Sequence, residues 1–280
     1  MPPVKLWLVI ALLLVANMAA VGALMLLRRF GPRDGWFRDA QHAAGAFTVT
    51  GTIYAVLVGF VFLLAFGSYS AARESSQDEA RAAVSLFHVA ERFPPDVRDE
   101  IQGDVVCYAR AVVGSEWGTM ADERPSAEVD QWETQLSRDF DAFEPTTQVE
   151  SDALQSWFGD ADLLREARQG RLTEAPRFIP VTIWVLLLVT GAAVIGFSLL
   201  LSDSRERRSA QVAMVVAVTT AVTASLLIVN FLDRPYGDHE GAIEPEAMSS
   251  ALAAVRRDLI AHGRAETASC SVADAGVVDG

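Results

Sequence analysis

AFTVTGTIYAVLVGFVFLLAFGS, residues 46–68, contains no Asp, Glu, Lys or Arg. A helix needs about 20 such residues to cross roughly 30 Å of hydrocarbon, and this run is long enough. Three further charge-free runs accompany it, Leu6 to Leu27, Ile179 to Ser202 and Ser209 to Leu232. A charge at mid-membrane costs about 3 kcal/mol. Four clean runs in a chain that is 21% charged therefore predict four transmembrane helices, not a soluble core. Lys5 precedes the first run and Arg28-Arg29 follows it, the flanks of an anchor and not of a cleaved leader.

The charge lies elsewhere. Of the formal −13 carried by 280 residues, −12 falls between Tyr69 and Phe178, where 11 arginines face 23 acids. The chain thus divides into membrane helices 1 and 2 with a short Arg-rich loop (1–68), an acidic helical soluble domain (69–178), membrane helices 3 and 4 (179–232), and a short helix with a disordered tail (233–280). Such acidity offers phosphates no attraction and excludes a nucleic-acid binder. Lys5 is the sole lysine beside 22 arginines, a bias of GC-rich bacterial genomes, so the expected location is a bacterial plasma (inner) membrane. Orientation stays open. Arg28, Arg29, Arg33 and Arg38 in one short loop, and Arg205, Arg207 and Arg208 in another, place those loops inside. Arg73, Arg81, Arg165, Arg168, Arg171 and Arg177 flank the membrane on the opposite face.

The acidic segment reads as helices throughout. Ala80, Val84, Phe87 and Glu91 extend the second membrane helix until Pro94-Pro95 stops it. Val97, Ile101, Val105, Tyr108 and Val112 form a second stripe at steps of four and three. Val129, Trp132, Leu136, Phe140 and Phe143 form a third, with Ser126 as N-cap and Pro145 as stop. A fourth covers Val149, Leu154, Trp157 or Phe158, Ala161 and Leu164. Strand alternation is absent, so the fold class is all-α, four transmembrane helices with a large acidic helical bundle between helices 2 and 3. A last helix is predicted from Pro245 to about His262.

Catalytic chemistry needs reactive groups within reach of one another, and none gather here. His42, His88, His239 and His262 lie in separate segments without metal-ligand spacing. Cys107 and Cys270 form no CxxC and suggest no disulfide. Neither a P-loop nor HExxH is present. The expectation is no enzyme, no cofactor and no metal site. Two membrane faces are more informative. Thr48, Thr52, Ala55, Gly59, Phe62, Phe66 and Tyr69 share one face of the second helix, small or hydroxylated at one end and aromatic at the other. It reads either as a helix-packing seam or as a pore-lining face whose phenylalanines gate by dewetting. On the fourth helix Thr219, Thr223 and Asn230 form a polar face, and Asn17 is a further polar residue at membrane depth. Arg165, Arg168 and Arg171 recur at steps of three, either paired with carboxylates and headgroups or forming an anion-attracting ring.

Several short motifs carry a resemblance. Gly51 to Phe60, Glu79-Ala80, Tyr108-Ala109, Glu116-Trp117, Arg168 to Leu172, Ile179-Pro180, Trp184 and Asp233-Arg-Pro-Tyr-Gly237 occur in that order. From about Gly45 to Met248 the chain resembles the bestrophin-like family of bacterial and plant membrane proteins, distant relatives of bestrophins. The resemblance implies a pentameric anion channel with four membrane helices per subunit, its helical domain in the cytosol and its second helix lining the pore. Gly59, Phe60, Phe62 and Phe66 would then form the neck, with Thr52 nearer one end. The calcium-binding acidic cluster of animal bestrophins is not reproduced, because Asp238, Glu240, Glu244 and Glu246 are interspersed with Gly, Pro and His. The partners expected are the lipid bilayer and further copies of the chain. A second reading is a membrane-anchored scaffold or sensor whose acidic domain binds a partner without conduction.

Overall fold

The computed structural model describes residues 6–30, 36–37, 39–120, 122, 124–140, 143–201, 207–237, 239, 241–264 and 270. Arg33, Arg38 and Arg205, the acids Asp238 and Glu240, and most of the tail expected to be disordered lie outside the described residues. Among those described, the regular elements are all helical: α1 (Leu6–Phe30), α2 (Ala40–Val89), a 3-10 turn (Ala90–Arg92), α3 (Pro95–Ala111), a π turn (Val112–Glu116), α4 (Trp117–Met120), α5 (Ala127–Arg138), α6 (Gln148–Thr173), α7 (Val181–Leu200), α8 (Arg208–Leu232) and α9 (Glu246–Ala261). The helices α1, α2, α7 and α8 are long and apolar enough to span a bilayer. The four-pass, all-helical expectation holds.

Two compact units emerge. The membrane unit comprises Met1–Tyr69, Arg177–Arg234 and Asp238–Ala242. Lipid supplies no hydrophobic drive between helices, so close packing and polar ties must hold them. In α1, Ala20 and Leu24 meet Val215 of α8, with Val212 and Leu199 alongside. In α2, Tyr54 packs on Val194 and Val222, and Val61 and Ala65 pack with Ile179, Leu187 and Val229. At Gly191 of α7 an added Cβ would lie 3.0 Å from Val222 Cγ1 and 3.3 Å from Tyr54 Cε2, so only glycine fits this crossing without displacing a neighbour. The polar ties are few and placed between helices. Asn17 Nδ2 donates to Thr220 Oγ1 at 3.0 Å, and Tyr54 Oη and Ser225 Oγ are 2.9 Å apart.

The bundle unit comprises Ser70–Pro176, Pro235–Gly237 and Ile243–Gly280. Pro94 is extended and Pro95 opens α3 at its first turn, where a missing N–H is no loss. Thr147 caps α6 in a reciprocal capping box with Glu150. The second stripe faces inward as its spacing predicts, with Ile101, Val105, Tyr108 and Val112 in the core. In the third, α5 ends at Arg138, earlier than the stripe suggested, yet Phe140 and Phe143 still pack on Phe93. In the fourth, Trp157 is the inward residue, while Val149 and Phe158 are exposed. Ser126 stands at the N-cap of α5, but its hydroxyl lies 3.0 Å from Ser115 Oγ and caps nothing.

One expectation is overturned. Cys107 and Cys270 form a disulfide that joins the core face of α3 to the chain beyond α9, 163 residues away in sequence. Local spacing cannot report such a pair, because only the packing of α9 on α3 brings the two segments together.

Candidate functional site

The second membrane helix presents two distinct faces. Tyr54, Val58, Val61, Ala65 and Ser68 recur at steps of four and three and turn into the membrane unit, all buried except the half-buried Val58. Thr48, Thr52, Ala55, Gly59, Phe62 and Phe66 centre about 120° around the helix from that seam and are exposed. The face singled out from sequence is therefore not a packing seam within the chain; the seam runs along another side. Phe62 and Phe66 are 39% and 52% exposed, their rings 6.3 Å apart and nearly parallel at 17°. Nothing lies within 4 Å of the Cβ position at Gly59. Phe60 departs from this group. Two residues from Phe62, it points about 200° around the helix, among Val56 and Leu63, also exposed. Thr48 and Thr52 return their hydroxyls to the carbonyls of Ala44 and Thr48 at 3.0 and 2.8 Å, which leaves neither hydroxyl an unpaired donor.

The polar face of α8 is differently used. Thr219 is buried and its Oγ1 has no hydrogen-bond partner among the described residues, while Thr223 and Asn230 are half-buried. The hydroxyls that tie helices together belong instead to Thr220 and Ser225, one helical position or two away. At the end of α8, Asp233 accepts from the Ile179 backbone N–H at 2.7 Å and from Trp184 Nε1 at 3.1 Å. Three of the motifs that carry the family resemblance thus meet at one carboxylate.

Four of the other motifs meet inside the bundle. Arg171 of α6 is fully buried, and its guanidinium bridges Glu79 of α2 and Glu116 of the π turn. The Arg171 Nη2 to Glu79 Oε1 distance is 2.9 Å, Nη1 reaches Met120 Sδ at 2.5 Å, and the guanidinium carbon sits 5.3 Å from the Trp117 ring centre. Tyr108 Oη donates to Glu79 Oε1 at 2.6 Å. One turn earlier, Arg168 Nη2 lies 2.6 Å from both Glu116 Oε1 and Asp130 Oδ1, and Nη1 pairs with Glu133. Tyr236 joins the Trp117 side, its ring edge-on to the indole at 5.5 Å and its hydroxyl donating to the Ala72 carbonyl at 2.8 Å.

Buried charges persist only when paired. Burial by itself would strip protons from Arg168 and Arg171, but the carboxylates overcome it and raise both guanidinium pKa values. Burial pushes Glu116 upward, yet bonds to Arg168 and the Arg171 charge win and hold it below the ordinary carboxylate range. Tyr108 is driven well above the usual phenol value by burial and by the Glu79 charge. Arg168, Arg171 and Glu116 therefore stay ionised in the core. Arg168 and Arg171 are thus buried and paired with carboxylates, the first of the two readings their spacing allowed. Arg165, exposed, pairs with Glu133 and Asp162.

A second carboxyl pair behaves oppositely. Burial, then the charge and hydrogen bond of Asp104, push Asp139 up to about 8, and burial also raises Asp104. Gln135 Nε2 donates to Asp139 Oδ1 at 3.1 Å. A folded pKa above the unfolded 3.8 means the native state holds a proton that the unfolded chain releases. Its stabilising effect is full below about pH 4 and is lost as pH rises through about 8. Asp139→Asn is therefore expected to raise the melting temperature at pH 9, by an amount equivalent to about 1–3 kcal/mol, and to leave it unchanged at pH 4. Melting curves of the detergent-solubilised protein across pH check this; equal gains at both ends would refute it.

No group of three or more His, Cys, Asp or Glu side chains suited to a metal occurs among the described residues. Sequence reasoning missed the ion network as a site. The signal was present in Arg168 and Arg171, three apart on a helix otherwise patterned for burial, but periodicity alone cannot show that charges turn inward.

Comparison with known proteins places this arrangement. A model of the Bestrophin-like domain matches residues 13–248. No curated protein matches the chain. Among solved structures it is similar to a bacterial bestrophin homologue from Klebsiella pneumoniae, at 13% identity and a TM-score of 0.64, covering 93% of this chain and 100% of that one. A tryptophan-to-alanine variant of that homologue gives 14% identity, a TM-score of 0.62 and coverage of 94% and 100%. At such identities the likeness shows the fold alone, whereas the domain match spans most of the sequence. The chain belongs to the Bestrophin-like family.

Proposed function

We propose that copies of this chain assemble around an axis in a bacterial plasma membrane and form an anion channel, with α2 lining the pore. The observation that carries this reading is the exposed face Thr48, Thr52, Ala55, Gly59, Phe62 and Phe66, set about 120° around the helix from the face by which α2 packs in its own subunit. Around an axis, Phe62 and Phe66 would close a hydrophobic constriction that water leaves when the radius falls, and small residues would leave a wider mouth beyond it. Phe60, on another face, contacts lipid or a neighbouring subunit in this arrangement. Five subunits are expected from the family resemblance.

Planar-bilayer recordings of purified protein test it. Single-channel anion currents are expected, and Phe62→Ala should raise open probability or leak several-fold while Phe60→Ala changes it little. Silence from both wild type and Phe62→Ala would overturn the reading. The net charge of −12 on residues 69–178 supports a second possibility, a non-conducting scaffold whose bundle captures a cationic partner. Subunit stoichiometry in mild detergent separates the two: a closed ring of five supports conduction, a monomer or dimer the scaffold.

A further inference from the structure

We infer that the acidic bundle and the chain beyond α8 face the non-cytoplasmic, oxidising side of the membrane, where Cys107 and Cys270 are covalently joined. The two cysteines are separated by the spans α7 and α8, so they occupy the same face whichever way the chain is inserted. Cys107 is 2% exposed and sits in the bundle core, so the bond is built into the packing of the domain and is not a surface accident. Arg110 stands beside Cys270, its Nη1 3.3 Å from Sγ, a cation that favours the thiolate from which exchange begins. Bonds of this kind persist where thiols are not continually reduced, which excludes an ordinary bacterial cytosol.

An independent argument leads to the same face. The arginines of the two short loops, Arg28, Arg29, Arg33 and Arg38, then Arg205, Arg207 and Arg208, hold those loops inside. The competing arginines stand at the two membrane ends of a long segment, 69–178, whose body translocates largely regardless of charge. Two of them, Arg168 and Arg171, are engaged by carboxylates in the core and offer nothing to headgroups. Short-loop charge and disulfide agree, and the orientation is the reverse of the cytosolic domain that the family resemblance implies.

Formation of the bond balances simply. The two thiols lose two protons and two electrons, and an oxidised disulfide-exchange protein of the exported compartment accepts them, leaving as a dithiol.

The test uses the full chain in bacterial cells, with a reporter joined after Gly280. An alkaline phosphatase, active only after export, should give strong activity, and a fluorescent protein that matures only inside should stay at background. In parallel, acid-quenched cells are treated with a polymer-tagged maleimide under denaturing conditions. No adduct is expected before reduction and two after it. Bright fluorescence with inactive phosphatase overturns the orientation, and two adducts without reduction overturn the bond; either result sinks the inference. Because the wild-type chain is used, no variant has to fold, and a failure to conduct current has no bearing on the result.

Discussion

Arg171→Met will destabilise the protein by about 3–5 kcal/mol, one of the two largest effects expected of a single replacement in the bundle. The lost guanidinium is the common partner of Glu79 and Glu116, each at most 1% exposed. Removing it leaves two carboxylates in the core with less than their charge matched, and Tyr108 keeps donating to one of them. Arg171→Lys should fall between, because an ammonium cannot span both carboxylates with a planar fork. The triple replacement Glu79→Gln, Glu116→Gln and Arg171→Met should recover much of the loss, since neutral amides need no counter-charge. Thermal unfolding of the full-length protein in detergent measures all three. An unaltered melting temperature in Arg171→Met would mean the network contributes nothing to the fold.

Trp157→Ala is the second large effect, a loss of about 3–5 kcal/mol. Its side chain is fully buried, and its ring lies 5.1 Å from that of Phe140. The cavity left would open between α6 and the aromatic cluster of Phe93, Phe140 and Phe143. Phe158→Ala, at the adjacent half-exposed position, should cost under about 1 kcal/mol. Trp157 Nε1 has no hydrogen-bond partner among the described residues, so Trp157→Phe forfeits volume but no hydrogen bond, and should cost about 1–2 kcal/mol. Comparable losses at positions 157 and 158 would show that the inward face of α6 is wrongly assigned.

The membrane helices were legible because lipid tolerates so few sequences. The runs beginning at Leu6 and Ser209 need no partner to be recognised, and α1 and α8 follow them closely. The bundle stripes were legible where apolar residues recur regularly, as from Ile101 to Val112, and uncertain where two aromatics stand side by side, as at Trp157 and Phe158. Faces of α2 were visible in the sequence, but whether the Thr52–Phe62 side turned inward depended on Val61 and Ala65 finding Leu187 and Val229. The ion network was not legible as such. Glu79, Glu116 and Arg171 stood out as family-like motifs, yet each is an ordinary surface residue by type, and only tertiary packing gathers them around Tyr108 as one cluster. Cys107 and Cys270 illustrate the same limit at a separation of 163 residues.

The π turn at Val112–Glu116 bears on how this chain can tolerate changes in length. Such a turn accommodates one residue more than the ordinary helical path between the same two points. Removing a residue from Val112 to Ser115 would let the ladder close in its usual pattern, leaving the bearing of Trp117 and Met120 nearly as it is. Excision from the middle of α3 would instead swing everything after it by about 100° and carry the core-facing side chains outward. Insertions and deletions among homologous chains should therefore collect at this slack point, directly before Glu116.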